Sequence, residues 1–391
     1  MDLRFSADDE AFRAEVRGWL DTQLAGEFRH LRGQGGPGHE HEHLDGRRAW
    51  ERVLGAAGWI GLGWPRAAGG QGASLLRQVI FHEEYARARG PGRLGHIGEH
   101  LLGPTVAAFG TDAQRARVLP PIARGEALWC QGYSEPGAGS DLAGVQTRAE
   151  LVGRQWRITG QKIWTSHAHI ADACFVLCRT DPASSRHQGL SYLLVPMRQA
   201  GVTVRPIQQL TGTSEFCEVF FDDARTDADQ VVGEIGGGWR VAMATLTFER
   251  GASTLGQQIG FAAELDAIIA AARARGADRD AVIRQRLADA WIGLQVMRWN
   301  ALRMLAHGER GELPREALMT KLSWATWHRT LGELAMDVLG PDAEVTDGAP
   351  YQLTTLQQTF LFSRADTIYA GSNEIQKNII ATRALGLPRG A

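Results

Sequence analysis

The stretch WCQGYSEPGAGSDLAGVQTRAE, residues 129–150, decides how the rest of the chain is read. It is turn-rich, and Gly137, Gly139 and Ser140 offer backbone that something can approach closely. It also marks a change of pattern. Upstream, apolar residues recur at helical spacing. Downstream, from about 127 to 235, WRITGQKIWTS, ACFVLCRT, SYLLVPM, VTVRPI and CEVFFDD alternate between turns and predict short antiparallel strands.

Working outward, Phe12, Val16, Trp19 and Leu20 behind the cap SADDE predict a helix over 6–29. Helical patterns return at 46–58, 73–90, 95–109 and 112–124. In LRGQGGPGHEHEHLDG, His39, His41 and His43 alternate with Glu, but no Cys or second His cluster completes a metal site, so this reads as a solvated loop. From Trp239 the pattern is helical to the end. Val241, Phe248, Leu255 and Ile259 form one stripe, and Leu287, Trp291, Leu294, Met297, Ala301 and Met304 a second. LSWATWHRTLGELAMDVLG predicts a third helix and 352–384 a fourth. The expected organisation is a helical domain over 1–126, a β-domain over 127–235 and a four-helix block over 236–391.

Composition narrows the function. The net charge of −2 provides no basic field for nucleic acid and no polybasic membrane patch. No apolar run approaches the roughly 20 residues of a membrane span. The N-terminus MDLRFSADDEAF lacks a signal-peptide apolar region, so a cytoplasmic location is expected. Four cysteines (Cys130, Cys174, Cys178 and Cys217) are no disulfide framework and read as buried free thiols.

The string SEPGAGSD, with GQKIWTS at 160–166, closely resembles the signatures of the acyl-CoA dehydrogenase family of flavoproteins. GLGWPRAAGGQGAS, FGTDAQRARVLPPIARGE, the GGGW at 236–239 and IYAGSNEIQKNIIATRALGLPR match as well, so the resemblance spans essentially the whole chain. It implies an α+β multidomain fold: N-terminal α-helices, a middle antiparallel β-domain and a C-terminal four-helix bundle. It also implies FAD as cofactor, an acyl-CoA substrate, no resident metal and an electron-transferring flavoprotein as acceptor. By motif, Gln131, Tyr133 and Ser134 would lie along the flavin, with Gly139 and Ser140 at the adjoining loop and Ser140 also near CoA. Trp164 would cover a flavin edge, Thr165 and Ser166 would hydrogen-bond it, and Ser372 and Glu374 would approach the cofactor.

The family's reaction is α,β-dehydrogenation of the thioester, which needs a carboxylate base and aimed donors for the developing enolate oxygen. Many relatives carry that base as a Glu directly after the Tyr of IY-x-G. Here Ala370 stands there, between Tyr369 and Gly371. A smaller set of relatives places the base on the first bundle helix, directly before an Arg. This chain has Glu249-Arg250 in ATLTFERGAS at that place. A Glu on a helix is by itself a solvated-face residue. The missing carboxylate at 370 and the present one at 249 together make Glu249 the expected base. Arg250, Tyr369, Ala370 and Gly371 are the expected substrate contacts, with the Ala370 N–H facing the thioester oxygen.

Two segments that reach a neighbouring subunit's FAD in homotetrameric relatives are altered here. One becomes AAARARGADRDAVIRQRLADA, where Arg273 or Arg275 could substitute, and the other LGPDAEV. The assembly is therefore expected to be a homo-oligomer (dimer or tetramer) or an α2β2 heterotetramer with a paralogous chain. The competing functions are a flavin-dependent oxidase or monooxygenase on the same fold and a structural subunit of a hetero-oligomer. The sequence does not choose among short, branched, long or steroid side-chain acyl groups.

Overall fold

The computed structural model describes residues 5–36, 39–248, 252–308, 315–346 and 352–388. The N-terminal layer begins with α1 (Ala7–Ala25), which buries Phe12, Val16, Leu20 and Leu24. Its N-cap Ser6 accepts from the Asp9 N–H at 3.1 Å, and acidic residues fill the first turn, where the helix dipole favours them. The predicted 6–29 helix ends at Ala25 and tightens into a 3-10 turn over Glu27–Leu31. There follow α2 (Leu44–Ala56), α3 (Leu75–Arg87), α4 (Gly103–Phe109) and α5 (Asp112–Ala123). A π-helical turn, Gly98–Leu102, leads into α4. Trp50, Trp59, Ile80 and Phe81 join the buried face of α1 in one core.

The middle of the chain forms one seven-stranded sheet: β1 (Trp129–Gly132), β2 (Arg148–Val152), β3 (Gln155–Ser166), β4 (Ala173–Arg179), β5 (Leu190–Pro196), β6 (Val202–Pro206) and β7 (Phe216–Asp227). Its order is β1-β4-β2-β3-β7-β6, with β5 on β4. The expected antiparallel domain is refined at one place, where β1 runs parallel to β4. Apart from one further parallel contact, Arg148 to Arg179, the pairings are antiparallel. All four cysteines are buried free thiols. Burial pushes the Cys178 thiol up to about 12, which keeps it unreactive.

The β3–β7 pairing is interrupted twice, between Ile158 and Gly160 and between Lys162 and Thr165. At the first interruption Gly160 has φ +152, and a Cβ there would come within 2.5 Å of Thr147 Oγ1. At the second, Trp164 is held at φ +58, a costly region for a bulky residue. The bulge turns its ring outward, leaving Trp164 56% exposed beside a fully buried Thr165.

Beneath this bulge sits a buried ion pair. The Lys162 ammonium is fully enclosed and donates to Glu135 Oε1 (2.8 Å), the Leu177 carbonyl (2.8 Å) and the Tyr133 carbonyl (3.0 Å). Three donors meet three acceptors. Glu135 in turn accepts from the backbone N–H of Gln146 (2.6 Å) and of Thr147 (2.8 Å). One side chain thus joins SEPGAGSD to GQKIWTS, and the Ile163 N–H reinforces the join by donating to the Ser134 carbonyl at 2.9 Å.

The C-terminal part comprises α6 (Gly238–Phe248), α7 (Ala252–Arg275), α8 (Ala281–Gly308), α9 (Thr320–Leu339), α10 (Thr355–Asp366) and α11 (Asn373–Ile379). Helix α6 packs on β5 and α4, with Thr105 and Thr245 hydroxyls 2.8 Å apart across the junction. Helices α7, α8 and α9 share a core, and α10 packs on α9. Two expectations change here. The predicted fourth helix over 352–384 is broken into α10 and α11, because Ala370 (φ +51) and Gly371 (φ +85) form a left-handed turn between them. Trp291, expected on a packing stripe, is instead 54% exposed, beside exposed Ile292, Val296 and Trp299.

Replacing Lys162 with Met should lower stability by about 3–5 kcal/mol, since it leaves the Glu135 carboxylate buried without its cation. The double variant Lys162→Met/Glu135→Gln should recover part of that loss. Urea midpoints of the three proteins check both statements.

Candidate functional site

Strands β1 and β3 and the loop after β1 carry the first group of the expected site residues. Gln131 is half-buried on β1, and its Nε2 is enclosed with no hydrogen-bond partner among the described residues. Thr165 is fully buried, and its hydroxyl is likewise unpartnered. Unmatched buried polar atoms are costly, so each of these two is open to a partner from outside the chain. Ser166 is half-buried, while Gly139 and Ser140 lie exposed at the loop tip. A Cβ at Gly139 would meet nothing within 4 Å, so packing within the chain does not require glycine there. Tyr133 follows Gly132 at the end of β1. Its ring is buried in the core, edge-on to Phe175 at 5.9 Å and to Tyr192 at 6.3 Å.

The turn between α10 and α11 carries a second group of the expected site residues, and none of either group lines the cavity described below. Ser372 caps α11, its Oγ accepting from the Ile375 N–H at 3.3 Å. Gln376 closes the turn by donating to the Ala370 carbonyl at 3.1 Å, and a side chain at Gly371 would collide with that amide at 2.7 Å. Ala370 and Glu374 are exposed, and the Ala370 N–H makes no backbone hydrogen bond among the described residues. The turn is anchored from below, with the Tyr369 hydroxyl donating to Asp366 Oδ1. Asp366 Oδ2 lies 2.5 Å from His328 Nδ1, and His328 Nε2 lies 2.5 Å from Glu264 Oε2. Lys321 donates to the Asp366 carbonyl at 2.5 Å. Both ring nitrogens of His328 therefore face carboxylates, the arrangement of an imidazolium. Burial alone would push its pKa down. The hydrogen bonds and charges of Asp366 and Glu264 more than offset this and raise it to about 9.

A cavity of about 420 Å³ opens between the N-terminal helices and the end of α6. Trp59, Leu62, Trp64, Leu75, Phe81 and Phe248 make its apolar lining, and Gln78, His82, Glu99 and His100 its polar part. Glu99 is ionised, its pKa held at about 2. Burial opposes this, but the charge of Arg93 and the hydrogen bond from the Gly61 N–H outweigh it. Arg93 bridges Glu99 (2.7 Å) and Glu51 (2.9 Å), so its charge is spent within the protein.

Glu249 and Arg250, the expected base and its neighbour, lie outside the described residues. The last described residue before them, Phe248, lines the cavity. Arg275 is engaged within its own chain, Nη1 to Asp342 Oδ2 at 2.6 Å, while Arg273 is exposed. Sequence reasoning did not single out Lys162, Glu135, His328 or the cavity histidines. Lys162 and Glu135 stood inside both signatures, whereas His328 and Asp366 come from separate helices and leave no local signal.

The His328 pKa is higher folded (about 9) than its ordinary value of 6.5, so its contribution to stability is complete below about 6.5. That contribution is lost as pH rises through about 9. His328→Gln should flatten this part of the pH–stability curve and remove on the order of 3 kcal/mol near neutrality. Thermal unfolding of both proteins from pH 6 to 10 reads the difference.

Comparison with known proteins agrees with this architecture. Models of the acyl-CoA dehydrogenase N-terminal, middle and C-terminal domains match residues 6–126, 130–224 and 236–385. The chain is similar to acyl-CoA dehydrogenase IpdE1 of Mycobacterium tuberculosis, 60% identical over 98% of this chain and 99% of that one. It is also similar to IpdE1 of Mycolicibacterium smegmatis, 56% identical over 97% and 98%. Among solved structures, the Tcur3481-Tcur3483 steroid ACAD superposes with a TM-score of 0.86 at 32% identity, both chains fully covered. The ChsE4-ChsE5 complex from Mycobacterium tuberculosis gives 0.81 at 29% identity, again over both full chains. Among the described residues no helix is long and apolar enough to cross a membrane. The chain belongs to the acyl-CoA dehydrogenase family of oxidoreductases.

Proposed function

We propose that this chain catalyses FAD-dependent α,β-dehydrogenation of an acyl-CoA thioester to a trans-2-enoyl-CoA, with Glu249 as the base. The observation that carries the reading is the cavity wall formed by Phe248, the residue directly before Glu249. A general base for a thioester α-proton works best as a carboxylate in apolar surroundings, and Glu249 follows a residue of such a lining in the chain. Ala370 carries no carboxylate to compete with it, and its N–H has no backbone acceptor of its own. That N–H would hold the thioester oxygen as negative charge develops there. Tyr369, fixed through Asp366 and His328, keeps the turn in position. Arg250 and Ser140 would meet the CoA portion.

The residues present fit a flavin. The unpartnered Gln131 amide and Thr165 hydroxyl can satisfy ring oxygens and nitrogens, and the exposed Trp164 can cover a ring edge. Ser134, Gly139, Ser166, Ser372 and Glu374 would border it, and Tyr133 would contribute through its backbone. When bound, the flavin accepts the hydride from the substrate β-carbon. The other steps belong to the protein: Glu249 removes the α-proton, and the enclosing apolar walls exclude water. An electron-transferring flavoprotein is the proposed acceptor.

The acyl group is proposed to be steroid-derived, since a relative of the same fold at 32% identity is named a steroid ACAD. Two of the similar structures are named for two chains each, which supports an α2β2 assembly with a paralogue. The Trp291, Ile292, Val296 and Trp299 face of α8 suits such a contact.

Glu249→Gln should retain flavin while kcat/KM falls by about 10²–10⁴-fold, the usual worth of a general base. Unchanged bleaching of the flavin by acyl-CoA would remove Glu249 from the mechanism. The chain expressed alone should hold well under one FAD, rising when a paralogous partner is co-expressed. A full complement in the single-chain product would speak for a homo-oligomer instead.

A further inference from the structure

The residues behind the α10–α11 turn form an unbroken chain of hydrogen bonds. It starts at Glu264 on α7, whose side chain is 30% exposed, and passes through His328 on α9 to Asp366 on α10, both almost fully buried. The Tyr369 hydroxyl donates to the other carboxylate oxygen of Asp366. Phe261 packs against the imidazole, with ring centroids 4.5 Å apart.

The turn at the end of this chain is not one that backbone adopts readily. Ala370 is a non-glycine residue at φ +51, followed by Gly371 at φ +85. Such a conformation persists only where its surroundings hold it. Gln376 holds the Ala370 carbonyl, and Asn373 Nδ2 reaches Thr326 Oγ1 of α9 at 3.3 Å. Both of these come from the chain after the turn. Tyr369 ties the residue before it to α9 and α7 through Asp366 and His328. Rigid aim matters here, because moving a catalytic donor by about 1 Å can cost about 10²-fold in rate.

The charged and titratable groups around His328 include Glu264 on α7, Lys321 on its own helix, Asp366 and Tyr369, and Glu374 on α11, which feels the charge of Lys321. Arg364 on α10 is paired with Glu333, and Arg286 on α8 with Asp337. Asp366 and Glu264 are the groups that hold the ring protonated up to about pH 9. Lys321 meets the Asp366 carbonyl instead.

We propose that Glu264, His328 and Asp366 are positioning residues for the reaction: through Tyr369 they hold the Ala370 N–H where the thioester oxygen becomes negative, so they strengthen the transition state rather than substrate binding. This rests on the acyl-CoA reading of the site, in which that N–H serves the thioester. Deprotonation of the imidazole removes one of its two donors, leaves one carboxylate without its partner and weakens the Tyr369 anchor.

The test uses the FAD-loaded protein, with its partner chain if one is needed for loading. Octanoyl-CoA, 3-cyclohexylpropanoyl-CoA and cholanoyl-CoA are tried, and the one that reduces the flavin fastest is carried forward. Flavin reduction gives kcat and KM from pH 6 to 10, and thermal unfolding is followed over the same range. Wild-type kcat should fall on the alkaline side with a midpoint near 9. His328→Gln should lower kcat near neutrality by about 10–100-fold, leave KM within about twofold and lack that alkaline fall. Tyr369→Phe separates aim from stability, since it keeps the buried His328 between its carboxylates and cuts the link to the turn. Its kcat should lose the alkaline fall, while its unfolding curve still shows stability declining as pH rises through about 9. An alkaline fall in kcat that persists in either variant overturns the proposal. So does a wild-type kcat that is flat from pH 8 to 10, or a loss in His328→Gln that appears in KM. If His328→Gln does not fold, Tyr369→Phe decides. A wild type whose flavin none of the three thioesters reduces would overturn the dehydrogenase reading, and this inference with it.

Discussion

The site depends first on one ammonium group placed where water cannot reach it. Lys162 is fully enclosed, and its three acceptors come from two separate parts of the chain: Tyr133 and Glu135 in the loop after β1, and Leu177 on β4. Desolvating a charge costs several kcal/mol unless every donor is met. The geometry in which all three are met is also the one that sets Ser134 against Ile163. The position of the SEPGAGSD loop relative to the Trp164 bulge is therefore a by-product of satisfying one cation.

The same device recurs twice more, beneath the α10–α11 turn and beside the cavity. His328, caught between Glu264 of α7 and Asp366 of α10, ties three bundle helices together and holds Tyr369 through Asp366. Arg93, caught between Glu51 of α2 and Glu99, fixes the π-helical turn that borders the cavity. In each case a buried cation sits one layer behind the surface that would meet a ligand. None of the three is free to bind that ligand, because each charge is matched within the protein. A thioester α-proton needs such surroundings, because a carboxylate base gains strength where water and stray charge are excluded.

Much of this was legible in the chain. The order of helices, strands and helices followed from hydrophobic period alone, and the cap at Ser6 appears where SADDE places it. What escaped was tertiary. The fourth bundle helix reads as continuous because Tyr369, Ala370 and Gly371 do not break periodicity, yet their left-handed turn splits it. Trp291 fits a packing stripe by spacing, but α8 turns that side outward. Tyr133 stands inside a cofactor motif, and its ring packs in the core against Phe175 and Tyr192, partners that only the fold brings to it. His82 and His100 lie on different elements, and nothing in either local sequence announces that they share a cavity. The stretch that would test Glu249 directly lies outside the described residues.

The π-helical turn Gly98–Leu102 has an evolutionary corollary. Such a turn amounts to one residue more than an α-helix needs at that point. Loss of a single codon there would restore regular winding and swing the residues on one side of it by about 100° relative to the other, one step of a 3.6-residue turn. His100 and Glu99 would leave their present bearings, while the sheet, the Lys162 pair and the Tyr369 turn would be untouched. A lineage could in this way exchange one lining of the acyl cavity for another in a single step and keep its redox machinery intact.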